Sequence, residues 1–275
     1  MRFLVLSLLV ATSFFGTQKL TDYKKNVYSQ FGEDGIIEKI FEIIGTTSKL
    51  AIEFGASNGF SCSNSANLWT KDWKGVLIES DANLYTQCCS KVANYPCIVV
   101  HRKVGVTGKD SLESIVTALN IGSSVDLLSI DVDGDDYYIF QSINELRPRV
   151  VICEYNPSIP AHLDVYSDIG NHIGCSVAAL QRIAREKGYS LIAITDSNCF
   201  FVLNEEFHKF NLYDTKLESI RIDTYIFYII TDYSGNYQAI GQKDCVDPWG
   251  WSGRFSPERC RGNIDSIPCT ILKNQ

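Results

Sequence analysis

One glycine-bearing loop and three acidic strand ends hold the residue types that could do chemistry. Glu53-Phe54-Gly55-Ala56-Ser57-Asn58-Gly59 follows an apolar run and leads toward a candidate helix start near Ser61 to Asn64. Gly55 and Gly59 allow a tight strand-to-loop turn and close approach of a ligand to the backbone, beside a helix N-terminus. A carboxylate two residues before the first glycine suits a ligand carrying an ammonium or hydroxyls, although an ordinary strand-helix turn would read the same way. The G-x-G-x-x-G fingerprint of dinucleotide sites is missing, which weakens a nicotinamide reading. Leu77-Ile78-Glu79-Ser80-Asp81 closes a second apolar run, roughly 20–25 residues further on, where an acid can accept both hydroxyls of a ribose. Glu79 is expected in that role, and Asp81 is expected to cap the next helix.

The densest group is Ser129-Ile130-Asp131-Val132-Asp133-Gly134-Asp135-Asp136-Tyr137-Tyr138. A solvated charge run rarely follows an apolar strand such as Val125 to Ile130, so at least one carboxylate here is expected to face a ligand. Three readings compete. Asp131-x-Asp133-Gly resembles the phosphatase signature of haloacid-dehalogenase enzymes, with an aspartate nucleophile and magnesium, but that motif belongs after the first strand. A calcium loop needs D-x-D-x-D-G order, and Gly134 arrives too early. The third reading is the rim of a nucleotide-binding sheet, with Asp135 or Asp136 capping the following helix. A further acid ends Val151-Ile152-Cys153-Glu154-Tyr155-Asn156-Pro157, which reads as a substrate rim or as a plain turn. His101 follows another apolar run, where a lone histidine is more often structural than catalytic.

The elements that must position these residues alternate in period. Ile36, Ile37, Ile40, Phe41, Ile43 and Ile44 mark a helix face that ends at Gly45. Strands are expected at Leu50 to Phe54, Val76 to Ile78, Cys97 to Val100, Val125 to Ile130, Val150 to Cys153, Ser190 to Ile194 and Phe200 to Leu203. Most are unbroken apolar runs, as for parallel strands covered on both faces. Helices are expected between them at Ser63 to Trp69, Asn83 to Ala93, Leu112 to Leu119, Tyr137 to Leu146 and Val177 to Lys187. This alternation predicts an α/β fold with an open, doubly wound sheet, whose ligands sit beyond the carboxyl ends of the strands.

Composition narrows the function classes. The chain has 275 residues, 45% of them hydrophobic and 21% charged, with a formal net charge of -7, so a chain-wide basic footprint for nucleic acid is missing. No apolar stretch reaches the length of a membrane span, and heptads and internal repeats are absent. Residues 1–16 have a positive start, a short apolar core and small residues spaced like a cleavage site, the shape of a signal peptide or anchor; a buried N-terminal strand is the alternative. Ten cysteines is a high, even count that suits an oxidising compartment. Cys245, Cys260 and Cys269 lie in a Pro- and Gly-bearing tail without helical or strand period, where disulfides would supply order. The four histidines lack zinc spacing. Tyr225 to Ile230 reads as one more strand, an edge or a cover for the sheet, and Pro248-Trp249-Gly250-Trp251 as packing or a sugar-stacking platform.

Taken in order and spacing, these segments resemble class I methyltransferases that use S-adenosylmethionine, in particular the FkbM-type and related methyltransferase-like proteins. The resemblance is carried by Tyr28-Ser29-Gln30-Phe31-Gly32-Glu33-Asp34-Gly35, Glu53 to Gly59, Ile78-Glu79, Leu128 to Tyr138, Val151 to Asn156, and Gly188-Tyr189 with Phe200-Phe201-Val202. It implies a Rossmann-like seven-stranded methyltransferase sheet over residues 28–210, with an antiparallel last strand at Cys199 to Leu203 and a C-terminal extension over 211–275. Glu53, Gly55, Ala56, Ser57 and Gly59 would line the methionine end of the cofactor, Glu79 would hold its ribose, and Asp131 would lie under the methyl path. Gln30, Glu33 and Asn156 would face the acceptor. The chain departs from the commoner glycine-rich loop in carrying Ala56-Ser57-Asn58, and the Cys-rich tail has no counterpart in the family pattern.

Methyl transfer to a hydroxyl needs in-line approach and removal of one proton. Asp133, Glu154 and His101 are the candidate bases, and burial or neighbouring carboxylates would raise a carboxyl toward that task. A divalent cation among Asp131, Asp133 and Glu154 is chemically reasonable but not expected. The expected activity is O-methylation of a glycan or small hydroxylated molecule. A secreted, non-catalytic binding protein on a degenerate methyltransferase fold and a magnesium-dependent phosphatase using Asp131 and Asp133 are the alternatives. The start of the chain favours the secretory pathway over the cytoplasm, whereas S-adenosylmethionine is made in the cytosol.

Overall fold

The structure, a computed structural model, describes residues 18–223, 227–231, 233 and 237–241. The signal-like segment, Cys245, Cys260, Cys269 and Pro248 to Trp251 lie outside the described residues.

Seven strands form one sheet in the order β3-β2-β1-β4-β5-β7-β6. They are β1 (Leu50–Phe54), β2 (Lys74–Glu79), β3 (Cys97–His101), β4 (Leu127–Ile130), β5 (Val150–Glu154), β6 (Tyr189–Ile194) and β7 (Asn198–Leu203). The first five run parallel, and β7 is antiparallel to both β5 and β6. This is the doubly wound, Rossmann-like seven-stranded sheet expected, with its antiparallel strand where Cys199 to Leu203 placed it.

The strands are apolar on both sides because both sides are covered. On one face α1 (Glu33–Ile44), α2 (Ala66–Trp69) and α3 (Ala82–Lys91) bury Ile36, Ile40, Trp69 and Cys88 against Ala51, Leu77, Leu127 and Ile152. On the other, α4 (Leu112–Ala118), α5 (Asp136–Ser142) and α6 (Val177–Glu186) bury Ile115, Phe140, Leu180 and Ile183 against Ile52, Ile78, Leu128 and Val151. Alternate residues of each strand therefore serve different cores, which excludes a period-2 polar pattern.

Local signals fixed most boundaries. Gly45 ends α1, with its N–H on the Phe41 carbonyl at 2.9 Å, and Gly188 follows α6 at φ 81°. Asp81 caps α3, its carboxylate accepting from the N–H groups of Asn83 and Leu84. Two expectations are corrected. Helix α5 stops at Ser142, because the chain turns at Ile143 and continues as coil that still buries Ile143 and Leu146. The strand expected at Tyr225 to Ile230 is β8 (Phe227–Thr231), and it pairs with β9 (Tyr237–Gly241) in a separate two-stranded sheet. The seven described cysteines are free thiols, and among the described residues no helix is long and apolar enough to cross a membrane.

Gly55 shows how tightly the centre of the sheet closes. It sits at φ 71°, and a Cβ there would lie 1.7 Å from the carbonyl oxygen of Asp131 at the end of the neighbouring strand. Gly55→Ala is expected to cost about 3 kcal/mol or more, as a side chain forced into backbone at positive φ. Urea denaturation checks this, and a loss below about 1 kcal/mol would mean that β1 and β4 separate freely at their ends.

Candidate active site at the strand ends

Strands β1 and β4 are adjacent, yet β1 continues toward β2 and β4 toward β5, so the chain order reverses between them. A crevice opens at such a switch point. Here it is a cavity of about 380 Å³ lined by Gly55, Ser57, Glu79, Asp131, Asp133 and the 170–172 segment, among others. That volume falls within the roughly 300–1,000 Å³ of small-molecule sites. A larger cavity of about 450 Å³ lies among Phe140, Ile143, Arg147, Lys187 and Tyr189, away from every candidate residue. The chemistry belongs to the smaller one.

Glu79 organises one wall. Its Oε2 accepts the Ser57 N–H at 2.7 Å and its Oε1 the Asp81 N–H at 2.7 Å. One side chain thus ties the loop after β1 to the start of α3. Each oxygen keeps a further lone pair, the capacity needed to receive two vicinal hydroxyls.

The opposite wall is acidic. Oxygens of Asp131, Asp133 and Glu154 lie within 4.8 Å of one another. Carboxyls this close to one another disfavour each other's charged form. Burial, then the charges of Asp136 and Asp133, raise Asp131 from 3.8 to about 8. Burial, then the Asp131 charge, raises Glu154 well above the ordinary range. A divalent ion would find three oxygen donors here. Asp136 is no helix cap. Its carboxylate turns back to the N–H groups of Val132 and Gly134 at 2.9 Å, and burial foremost raises it to about 6. Asp133 stands at φ 56°, a strained loop position exposed at the mouth.

Several expected site residues are placed elsewhere, each for a visible reason. His101 ends the edge strand β3, stacks on Tyr85 with ring centroids 4.8 Å apart and sets Nε2 3.1 Å from the Ser80 carbonyl, outside the cavity. Glu53 points into the α1–α3 side, where Ser63 Oγ, Ser65 Oγ and the Asn64 N–H saturate it, and burial foremost raises it. Glu53 thus holds the loop rather than lining the cavity. Ala56 is core, and a Cβ on Gly59 would meet Val92 and Cys88 of the α3 segment, so these two shape the turn from behind. Glu33 is fully buried and anchors α1, accepting from Phe31 N–H at 2.6 Å and Thr195 Oγ1 at 2.6 Å. Asn156 folds its own turn, with Nδ2 on the Ile173 carbonyl and Oδ1 taking the Ser158 N–H and hydroxyl. Gln30 gives its carbonyl to Asn26 and does not reach the cavity.

The sequence reading missed the third wall. The long segment between β5 and α6 returns over the acidic loop, with the Gly170 N–H on Asp135 Oδ1 at 2.7 Å and His172 Nδ1 on the Asp133 carbonyl at 2.8 Å. Arg102 and Lys103, just after β3, add two cations, the first paired with Asp110 at 3.1 Å. Asn198 stands directly across the β5–β7 ladder from Glu154, buried, with its Oδ1 unpaired. No motif marks the 170–172 segment, whereas cations directly after a strand were a readable signal.

No family model and no curated protein matches the chain. Among solved structures, it is similar to an S-adenosylmethionine-dependent methyltransferase from Clostridium acetobutylicum, at 10% identity and TM-score 0.44, over 65% of this chain and 93% of that one. A TehB-like SAM-dependent methyltransferase from Corynebacterium glutamicum matches at 10% identity and TM-score 0.40, over 63% and 88%. Magnesium protoporphyrin IX methyltransferase from Synechocystis, solved with bound SAM, matches at 11% identity and TM-score 0.39, over 66% and 87%.

A carboxyl with a raised pKa binds its proton more tightly folded than unfolded. Its stabilising effect is therefore complete below its unfolded value near 3.8 and is lost as pH rises toward about 8. The wild type is expected to lose on the order of 2 kcal/mol between about pH 5 and pH 8, and Asp131→Asn to flatten that slope. Urea titrations across the range measure it; equal slopes would mean that Asp131 is not held protonated in the fold.

Proposed function

We propose that the protein is an S-adenosylmethionine-dependent methyltransferase acting on a hydroxyl of a glycan or small molecule, of the FkbM-type group. The observation that carries this reading is the switch-point cavity with Glu79 on one wall and Asp131 and Asp133 on the other. The residues fit the cofactor chemically: acceptor oxygens for ribose hydroxyls at Glu79, and carboxyls for the cationic end at Asp131 and Asp133. When bound, the cofactor supplies an electrophilic methyl group on a sulfonium.

The chain's own residues do the remainder. Ser57 and Asp81 hold Glu79 in place through their N–H groups, so its free lone pairs are set before ligand arrives. The 170–172 segment, pinned to Asp133 and Asp135, closes a third side of the cavity. Asp133 or Glu154 takes the acceptor proton, Asp133 from the exposed mouth and Glu154 from the buried corner. The phosphatase reading loses support, because Asp131 follows the fourth strand rather than the first, and burial beside Asp136 and Asp133 raises its carboxyl instead of keeping it a charged nucleophile. The signal-like start and the even cysteine count support an extracytoplasmic setting.

Calorimetric titration with S-adenosylmethionine and S-adenosylhomocysteine tests the reading. Micromolar binding is expected, and Glu79→Ala should weaken it at least about tenfold, or 1.4 kcal/mol. A folded protein that binds neither ligand would overturn it and leave the non-catalytic binding protein as the better reading.

A further inference from the structure

Three neighbouring strands end in one row of oxygen-bearing side chains. The β4–β5 register pairs Ser129 with Ile152, so two residues further on Asp131 comes alongside Glu154, and across the β5–β7 ladder Glu154 is paired with Asn198. Side chains level with one another on neighbouring strands leave the sheet on the same face. Here it is the face that buries Ile152 and Phe200 with α1. We infer that this row, Asp131, Glu154 and the amide oxygen of Asn198, together with Asp133 from the adjoining loop, is a binding site for a hard divalent cation of the magnesium, manganese or calcium kind. The inference goes beyond the methyltransferase reading and does not depend on it.

Spacing is the first support. Oxygens of Asp131, Asp133 and Glu154 lie within 4.8 Å of one another. Opposite ligands of one ion are two bond lengths apart, about 4.2 Å for magnesium and about 4.6–5.2 Å for calcium, so three oxygens at this spacing suit one coordination sphere. The Asn198 oxygen is the independent sign that a ligand belongs here. Asn198 is 5% exposed, and its Nδ2 donates to Glu33 Oε1 at 3.4 Å and Ser197 Oγ at 3.1 Å. The Glu33 carboxylate fixes which end of the amide is which, because the reversed amide would set two acceptors against each other. Oδ1 is thereby left buried without a partner, beside a Glu154 carboxylate that has no hydrogen to offer it. Such an oxygen is costly to bury unless a donor or a cation meets it.

The acids around this row are supplied by the protein itself. Glu53 takes Ser63, Ser65 and the Asn64 N–H, Glu79 the N–H groups of Ser57 and Asp81, and Asp136 those of Val132 and Gly134. Among the described residues, no ion pair and no N–H or alcohol donor reaches the side-chain oxygens of Asp131, Asp133 or Glu154. Of the basic side chains lining the cavity, Arg102 is engaged by Asp110, His172 Nδ1 by the Asp133 carbonyl, and Lys103 comes from the β3 side. Three carboxylates and an amide oxygen, with no sulfur or imidazole among them, make a hard donor set that favours magnesium, manganese or calcium over zinc. The ion reduces their charge from minus three to minus one, which still suits a cationic ligand alongside. Asp131 and Asp133 line the cavity and Glu154 and Asn198 are buried, so the ion's remaining coordination positions open toward the cavity.

Calorimetric titration of the full chain, stripped with EDTA and dialysed, with magnesium, manganese and calcium chloride in turn tests the site. At least one of these ions is expected to bind at about one per chain with a Kd below about 1 mM, and to raise the thermal midpoint of unfolding. Asp133→Asn should weaken that ion at least about tenfold and Asn198→Ala at least about threefold, with unchanged circular dichroism spectra. Asp133 is exposed, so its variant keeps the comparison if Asn198→Ala does not fold. A folded wild type that binds none of the three ions at about 10 mM overturns the inference, and that result needs no variant. If either folded variant binds the ion as tightly as the wild type does, the site as drawn is overturned. S-adenosylmethionine is absent throughout, so failure here leaves the methyltransferase reading standing, and failure of the cofactor titration leaves the cation site standing.

Discussion

Two neighbouring parallel strands that send their chains in opposite directions are the constraint on which the rest depends. Between β1 and β4 no connection covers the strand ends, so a crevice is unavoidable, and both strands press together beneath it until only a glycine fits at 55. Everything placed beyond that point must be loop. The loops after β1, β2, β4 and β5 therefore converge on the same small volume, although residues as far apart in the chain as Gly55 and His172 line it.

The protein holds its acids in three distinct ways, Asp126 at the amino end of β4 and the others at the carboxyl ends where the loops converge. Where backbone N–H groups are abundant, the acid is kept charged and used as a brace, as with Asp126, which receives the N–H groups of Thr47, Ser48 and Lys49 together with the Arg149 guanidinium and is held below the usual carboxylate range despite its burial. Where donors are fewer, as around Glu53, hydroxyls of Ser63 and Ser65 share the load. At Asp131 and Glu154 burial and the neighbouring carboxyls instead raise both groups. The first two are scaffold. The third leaves a group whose charge state can change, which is what acid–base chemistry requires.

The same accounting explains why acids in equally suggestive sequence positions serve unlike ends. Glu53 and Glu79 both close an apolar strand, and each is almost wholly buried. Glu53 lies one residue inside β1 and on the α1–α3 side, so its carboxylate enters the packed layer and is consumed by local donors. Glu79 is the last residue of β2, and its two backbone partners leave its outer lone pairs facing the cavity. A shift of a single residue along a strand, or to the other face, separates a brace from a ligand group.

By itself the sequence determined the strand and helix series, the doubly wound sheet, and the acids at or just after the strand ends, Glu79, Asp131, Asp133 and Glu154 among them, whereas the antiparallel last strand was implied only by the family resemblance. These follow from local facts: apolar runs that need cover on both faces, helix caps such as Asp81 and Gly45, and the rule that loops at carboxyl ends bear ligands. The tertiary structure alone decided which of the acids meet. Glu33 was taken by Thr195, 162 residues away, and His101 was drawn aside by Tyr85 and Ser80. The 170–172 segment was brought to the cavity by Asp133 and Asp135. A side chain's partner depends on the face it occupies and on how far a loop travels, and neither is written in the residues next to it.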